Sequence, residues 1–347
     1  MRVISSLDTA LTPTAVALGN FDGIHLGHQK VIAPILRESI AAKAIAIESQ
    51  PVVDRQNVIP SSSLSIPKEK IESPVDGKIS YPYITVATFD PHPREFFSGV
   101  ACKLLTPRAE KVEQLNRIGV EQLVLLPFDR ELAALTPKQF VETILVRQLR
   151  VQQVSVGEDF RFGHRRAGTA GDLREIASNY GVEVTIVSLK TSEGERISSS
   201  AIRQALEQGE INQANRLLGR PYTLTGVVVK GQGLGRTIGF PTANLQLPPE
   251  KFLPKQGVYC VRVWGTSIGS PASPMSGVMN IGERPTVNGS SLTVEFHLLD
   301  WLGDLYGQTL TVNLEKFLRP EQKFASLDAL KNQIQTDCLA ARTFLGN

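Results

Sequence analysis

Two different hydrophobic rhythms divide this chain, and no other feature restricts its fold as tightly. Up to Val187, strand-like apolar runs (Thr14–Leu18, Tyr83–Phe89, Gln122–Leu126, Val154–Val156, Val184–Val187) alternate with helical patterns. The helices are expected over Val31–Ile40, Arg108–Ile118, Pro137–Arg150 and Gly171–Tyr180. Strands alternating with helices imply a parallel sheet covered on both faces, a Rossmann-like α/β domain. Past Arg203 a Gln-rich helical stretch leads through Gly219 and Pro221, and the rhythm becomes one of short alternating segments separated by Gly and Pro: Thr223–Val229, Val258–Val263, Thr293–Leu298 and Thr309–Leu314. That pattern predicts an antiparallel barrel or sandwich, of which we adopt the barrel, with a terminal helix, Leu327–Leu339, packed on it. The fold class is thus α/β plus β, with domains at 1–204 and 205–347.

Two places resist this scheme. Pro34 lies inside the first helical pattern, where it removes a backbone donor and should bend the helix or delay its regular part. Between about Glu48 and Pro82 the sequence turns to Ser, Pro and charge, which reads as an inserted, mobile segment without a core of its own.

At 347 residues the chain exceeds the size at which one core stops growing, which agrees with two domains. The 37 basic and 34 acidic residues are scattered, with no Lys/Arg block, so no nucleic-acid partner is expected. Cys102, Cys260 and Cys338 lie far apart, an odd number without a CxxC, which suits a reducing compartment rather than a disulfide framework or zinc. With no signal-like or membrane-spanning apolar run, the expected location is the cytoplasm, with no membrane partner. The partners expected are small-molecule substrates, and weak self-association is left open.

The stretch Gly19-Asn20-Phe21-Asp22-Gly23-Ile24-His25-Leu26-Gly27-His28 sits where a parallel strand hands over to a helix, the place where open sheets bind ligands. Glycines let phosphate oxygens approach the backbone, and the helix N-terminus offers unpaired N–H groups and a dipole that favours an anion. His25 and His28, three residues apart, can face one triphosphate together. Donors fixed in advance where charge grows on phosphorus oxygens are each worth about 3 kcal/mol, against roughly 0.3–1 kcal/mol for a helix dipole. An isolated HxxH is usually a pair of surface histidines. Here it follows a GNFDG loop and is accompanied by Arg196-Ile197-Ser198-Ser199-Ser200-Ala201-Ile202-Arg203, which brings hydroxyls and two guanidiniums to another helix start.

In the second half, the strand ending at Val229 runs into Lys230-Gly231-Gln232-Gly233-Leu234-Gly235-Arg236-Thr237-Ile238-Gly239-Phe240-Pro241-Thr242-Ala243-Asn244. No helix follows and Pro241 opposes one, so a dinucleotide fingerprint fails on context, whereas a loop folding over phosphates fits. Thr242 and Asn244 offer neutral oxygens on one face of an extended chain, suited to a magnesium ion shared with phosphate and water. In Thr293–Leu298, Val294, Phe296 and Leu298 occupy one face and leave Glu295 and His297 on the other. A carboxylate there can accept the proton of a primary alcohol attacking a terminal phosphate, a step worth roughly 10²–10⁴ in rate.

Together, HxGH and the ISSSxIR element resemble the HxGH and ISSTxIR signatures of the nucleotidyltransferase superfamily, and specifically those of bacterial bifunctional riboflavin kinase/FMN adenylyltransferase (FAD synthetase). Phe89-Asp90-Pro91-His92-Pro93 is similar to the family's FDPHP, and Gly157-Glu158-Asp159-Phe160-Arg161-Phe162-Gly163 to its G-x-D/N-F-x-F-G. The Gly231–Asn244 run resembles the riboflavin kinase signature GxxxGRxIGFPTANL. Further likenesses are Glu295–Asp300, Leu305–Gly307, Phe317–Arg319 and Gly277–Gly282 with Pro285-Thr286, so the resemblance covers nearly everything but the insertion. Ser200 replaces the usual Thr and keeps its hydroxyl.

The resemblance implies an enzyme that phosphorylates riboflavin with ATP to FMN, then transfers AMP from ATP to FMN, giving FAD and pyrophosphate, with Mg2+. It implies Glu295 as general base of the kinase, with Gly231, Gly233, Gly235, Arg236, Pro241, Thr242 and Asn244 on ATP, Thr242 and Asn244 also holding the metal. For adenylyl transfer it implies His25 and His28 as catalytic, Gly19, Phe21, Asp22, Gly27, Arg196, Ser199, Ser200 and Arg203 on ATP, and His92, Pro93, Asp159, Phe160 and Phe162 on flavin. The alternative is a nucleotidyltransferase for another acceptor fused to a non-catalytic flavin-binding barrel. A relative of HIGH-containing tRNA synthetases would carry a basic face, and none is apparent.

Overall fold

The structure is a computed structural model and describes residues 1–48, 81–188, 197–231, 235, 238–286 and 289–346. The serine- and proline-rich segment therefore lies outside the described residues, apart from its edges. Two compact units emerge: Met1–Gly19, Val31–Asp90 and Gly119–Val187 form one, and Asn20–Lys30, Pro91–Ile118 and Ser188–Asn347 the other.

The first unit is built on β1 (Arg2–Ile4), β2 (Thr14–Leu18), β3 (Tyr83–Asp90), β4 (Gln122–Pro127), β5 (Val151–Gly157) and β8 (Glu183–Val187), with the short pair β6 (Arg161–Phe162) and β7 (Gly168–Thr169) between the last two. The large sheet is parallel throughout, in the order β1-β4-β3-β2-β5-β8. Counted from β2, the order runs third, second, first, fourth, fifth, with β1 added at one edge. It reverses between β2 and β5, and ligands bind open sheets at the carboxyl ends of strands at such a reversal. All five residues of β2 are buried, as both faces of a central parallel strand must be. Val16, Leu18, Val124, Leu126, Val154 and Val156 join Leu145 and Leu173 in one core.

Helix α1 (Leu26–Glu48) starts five residues earlier than the apolar pattern suggested and runs through Pro34. The lost Pro34 donor leaves one carbonyl, that of Lys30, without its intrahelical partner, and twenty-three residues of helix tolerate it. The other helices before the barrel are α2 (Pro93–Ser98), α3 (Arg108–Arg117), α4 (Arg130–Ala134), α5 (Pro137–Phe140), α6 (Ala170–Ser178), α7 (Ser199–Gln208) and α8 (Ile211–Leu218). The expected helix over 137–150 is α5, begun by a Thr136/Gln139 capping box, followed by a wider helix over Val141–Gln148 in which Leu149 N–H reaches Ile144 O at 3.0 Å, an i→i+5 bond.

The second unit holds a closed, wholly antiparallel barrel in the order β10-β13-β12-β11-β14-β9, which resolves the choice between barrel and sandwich. Its strands are β9 (Tyr222–Val229), β10 (Ala243–Gln246), β11 (Gly257–Gly265), β12 (Met275–Thr286), β13 (Gly289–Leu298) and β14 (Thr309–Arg319). Closure pairs every edge, removing the unpaired backbone groups that an open sheet would expose. Val294, Phe296 and Leu298 point inward as the alternation predicts, joined in the core by Tyr259, Met279, Leu310, Val312 and Leu314. The terminal helix α9 (Leu327–Leu345) covers the outside of β11 and β12, where Cys338, Ala341 and Leu345 meet Val258, Cys260 and Val278. Arg319 pins it with a two-pronged bond to Asp337 at 3.0 and 2.8 Å.

Candidate active sites

The loop that continues β2 is held in an unusual backbone shape. Phe21, Gly23 and Ile24 all adopt positive φ, at 47°, 96° and 43°, and only glycine does so without cost. The compensation comes from fixed partners. Gly23 N–H donates to Thr106 Oγ1 at 2.9 Å, Gly23 O accepts from Arg220 Nη2 at 2.9 Å, and Ile24 O accepts from Gln29 Nε2 at 3.1 Å. Asp22, buried, accepts from Thr106 N–H at 3.1 Å and pairs with Arg203, while its carbonyl accepts from Ser199 Oγ at 2.7 Å. The HxGH loop and the start of α7 thereby meet on Asp22, although about 180 residues of chain separate them.

His25 caps α1: its Nδ1 accepts from His28 N–H at 3.1 Å and its carbonyl from Gln29 N–H at 3.0 Å. An accepting Nδ1 places the ring proton on Nε2. His28 stacks on His25 at 3.6 Å and leans on Phe21 at 5.2 Å. Burial pushes His25 down to about 4, against the opposing pull of Asp22, and holds His28 well below the ordinary imidazole range, helped by His25 and Lys111. Both rings are therefore neutral at pH 7, each with one N–H to give. Gly27 leaves room for the stack, since a Cβ there would come within 3.1 Å of the His25 ring.

His92 caps α2 through Nδ1, accepting from Arg94 N–H at 3.0 Å, with Pro93 in the first turn. Burial lowers its pKa first of all, with the Asp22 charge opposing and those of Lys111 and Arg203 adding to the shift. Lys111 Nζ donates to Asn20 O at 3.2 Å. Ser198 caps α7, Ser199 serves Asp22, and Ser200 is exposed beside them. Gly19 ends β2, its N–H on Ala87 O. In the sheet unit, Phe160 stacks on Phe162 at 5.7 Å; Phe162 is a core residue and Phe160 half-buried, while Asp159 is exposed. Arg196 lies outside the described residues, as do Gly233 and Arg236 of the second loop.

In the barrel, Asn244 faces Glu295 across β10 and β13, and Glu295 in turn faces Asn280 on β12. Thr242 Oγ1 lies 3.5 Å from Glu295 Oε2. Hydroxyl, amide and carboxylate thus share one patch of the outer surface, half-buried, over a core-facing Val294 and Phe296. Two glycines allow it: a Cβ on Gly231 would strike the Asn244 amide, and one on Gly235 would strike Phe240 O and crowd Thr242. Pro241 is exposed, and its carbonyl accepts from His297 Nδ1 at 2.8 Å, tying the Thr242 segment to β13. Hard oxygen donors of this kind suit Mg2+ better than a softer metal. No cluster of three or more His, Cys, Asp and Glu with metal-holding geometry occurs among the described residues.

Sequence reasoning missed Thr106, Arg220, Glu110 and Lys251. Lys251 and Glu110 form a buried ion pair at 2.5 Å, in which Lys251 also donates to Leu105 O at 2.7 Å and Glu110 accepts from Thr225 N–H at 3.2 Å. No local pattern marks any of them, because every partner is remote in sequence.

These features define a class: a chain that carries a tightly held strand-loop-helix after the central strand of a parallel sheet, and a closed barrel with its own carboxylate and oxygen cluster. Family models agree. The FAD synthetase model matches residues 7–71 and 78–201, and the riboflavin kinase model residues 218–345. The bifunctional riboflavin kinase/FMN adenylyltransferase of Escherichia coli K12 is 39% identical over 95% of this chain and 92% of its own, and that of Bacillus subtilis 168 is 33% identical over 96% and 93%. A crystal structure from Streptococcus pneumoniae described as a macrolide-efflux protein superposes with a TM-score of 0.76 at 30% identity, covering 98% of both chains. The chain belongs to the bifunctional riboflavin kinase/FMN adenylyltransferase family. No helix among the described residues is long and apolar enough to cross a membrane.

Proposed function

We propose that this enzyme makes FAD from riboflavin in two ATP-dependent transfers, with riboflavin, FMN and ATP as its substrates. The observation that carries the reading is the Asn244–Glu295–Thr242 patch, a single carboxylate beside two neutral oxygens. In the first transfer the primary hydroxyl of riboflavin attacks the terminal phosphorus of ATP, Glu295 takes its proton, and ADP leaves. Thr242 and Asn244 would hold Mg2+, which when bound offsets negative charge on the phosphates. Gly231, Gly233, Gly235, Arg236 and Pro241 are assigned to the phosphates of ATP.

In the second transfer an FMN phosphate oxygen attacks the α-phosphorus of ATP and pyrophosphate leaves. His25 and His28 donate N–H bonds to the phosphorus oxygens as charge grows there, supported by the N-terminus of α1. Asp22, held by Ser199 and Arg203, shapes the loop, and Gly19, Phe21, Gly27, Arg196 and Ser200 are assigned to ATP with it. His92, Pro93, Asp159, Phe160 and Phe162 are assigned to the flavin.

Residues 1–204 are assigned to adenylyl transfer and 205–347 to the kinase, supported by the residues that the two family models match. This functional division cuts across the compact units, since the HxGH loop groups with the barrel. Three free cysteines suit a cytoplasmic setting. Incubating the pure protein with Mg-ATP and either riboflavin or FMN, and separating the flavins by chromatography, tests the reading: no FMN or FAD from riboflavin refutes the kinase half, and no FAD from FMN refutes the adenylyl half.

A further inference from the structure

The Gly23 peptide is gripped on both sides. Thr106 takes its N–H and Arg220 holds its carbonyl, and the neighbouring Ile24, a β-branched residue, sits at a φ of 43° that its own side chain disfavours. A left-handed turn of this kind persists only where the surroundings enforce it. Of the two clamps, Arg220 comes from a distant place, directly ahead of barrel strand β9, after Leu218, whose carbonyl lies 3.5 Å from the Gln29 amide.

Arg220 is poorly used for stability. Its Nε and Nη1 are inaccessible and have no hydrogen-bond partner among the described residues, while Nη2 makes the bond to Gly23 O. Arg319, by contrast, directs Nε and Nη2 onto Asp337. A half-satisfied buried guanidinium is costly, so a role outside packing explains it better. Burial lowers its pKa to about 10, which keeps it charged at neutral pH; Glu110 opposes that shift, and Arg220 in turn lowers the pKa of His25.

We propose that Arg220 is a positioning residue for adenylyl transfer: from the root of the barrel it holds the Gly23 carbonyl, and so fixes the turn that aims His25 and His28. The inference rests on the assignment of the Gly19–His28 loop to adenylyl transfer. It goes beyond that assignment because the barrel-side residue touches neither reacting group. The loop's productive shape depends on a side chain of the segment that opens the kinase.

The full-length chain tests this with Arg220→Met, Arg220→Lys and His28→Ala, each assayed for FAD formation from FMN, FMN formation from riboflavin, and thermal melting. Misplacing reacting groups by about 1 Å costs on the order of a hundredfold, so Arg220→Met is expected to lower kcat for FAD formation roughly ten- to a hundredfold, with KM for ATP and the kinase rate both within about twofold. Arg220→Lys, which keeps one donor for the Gly23 carbonyl, should recover most of the lost kcat. Unchanged FAD formation in Arg220→Met, an equal fall in both activities, or no recovery with Lys would overturn the proposal. Undiminished FAD formation in His28→Ala would instead remove the loop assignment itself, and the proposal with it; loss in His28→Ala without loss in Arg220→Met would defeat the positioning role alone.

Discussion

Asn244 and Glu295 stand opposite each other across the antiparallel ladder of β10 and β13, which sets a neutral amide level with a carboxylate on the outer face of the barrel. Thr242, two residues before Asn244, lies 3.5 Å from the same carboxylate, so the three share one potential ligand. If Glu295 accepts the proton of the attacking hydroxyl, Glu295→Ala and Glu295→Gln should each slow FMN formation by about 10²- to 10⁴-fold. Conversion of added FMN to FAD should persist, as chromatography of the two half-reactions will read. A glutamine that keeps the full kinase rate would show that no proton is taken there.

His28 offers a fixed donor in the other loop. Replacing it by Ala should cut FAD formation roughly 10²- to 10³-fold, the usual effect of removing a preorganised donor, while FMN formation continues. Single-turnover measurement with bound ATP separates this loss in the chemical step from weaker binding.

The stacked histidines also make folding stability depend on pH. In the unfolded chain an imidazole titrates near 6.5, whereas folded His25 is held at about 4. Below the unfolded value the unfolded chain binds a proton that the folded one refuses, so stability falls as pH drops from about 6.5 to about 4. The loss from His25 amounts to about 3 kcal/mol across that window. His25→Asn, which can still cap α1 but does not titrate, should flatten this part of the dependence in thermal melts. An identical slope in parent and variant would rule out the buried, neutral ring.

The Lys251–Glu110 pair lies out of water beneath the barrel's first strand, where burial pushes Lys251 down and Glu110 up despite their mutual attraction. Removing one partner strands the other's charge, so Lys251→Met should destabilise the protein by about 3–5 kcal/mol. The double variant Lys251→Met, Glu110→Met removes the stranded charge and should be more stable than Lys251→Met alone, though short of the parent because the Thr225 N–H and the Leu105 carbonyl lose these partners. Urea midpoints of the single and double variants provide the comparison.

Much of the fold could be read from apolar spacing because burial on both faces or on alternate residues imprints a period on the chain. Thr14–Leu18 and Val294–Leu298 behave as their patterns predict. Strands β10 and β12 escaped, for good reason: the first has four residues between Pro241 and Pro248, and the second contains Gly277, Gly282 and Pro285, all poor strand formers. They are strands because closing the barrel pairs them on both sides. The early start of α1 was hidden likewise, since an imidazole is an uncommon cap and only the His25–His28 geometry makes it one.

From the amino-acid order alone came the two domain types and the strand-loop-helix at the sheet's central strand, because these depend on neighbours a few positions apart, and the motifs whose resemblance proposes residues for each transfer. The folded chain decided which side chains meet. Asp22 with Thr106, Ser199 and Arg203, Gly23 with Arg220, and Glu110 with Lys251 are joined across roughly 80 to 200 residues, and no local periodicity records a contact of that span. Such contacts follow from how packed layers bring loops together, which the shape of the core determines and single residues do not.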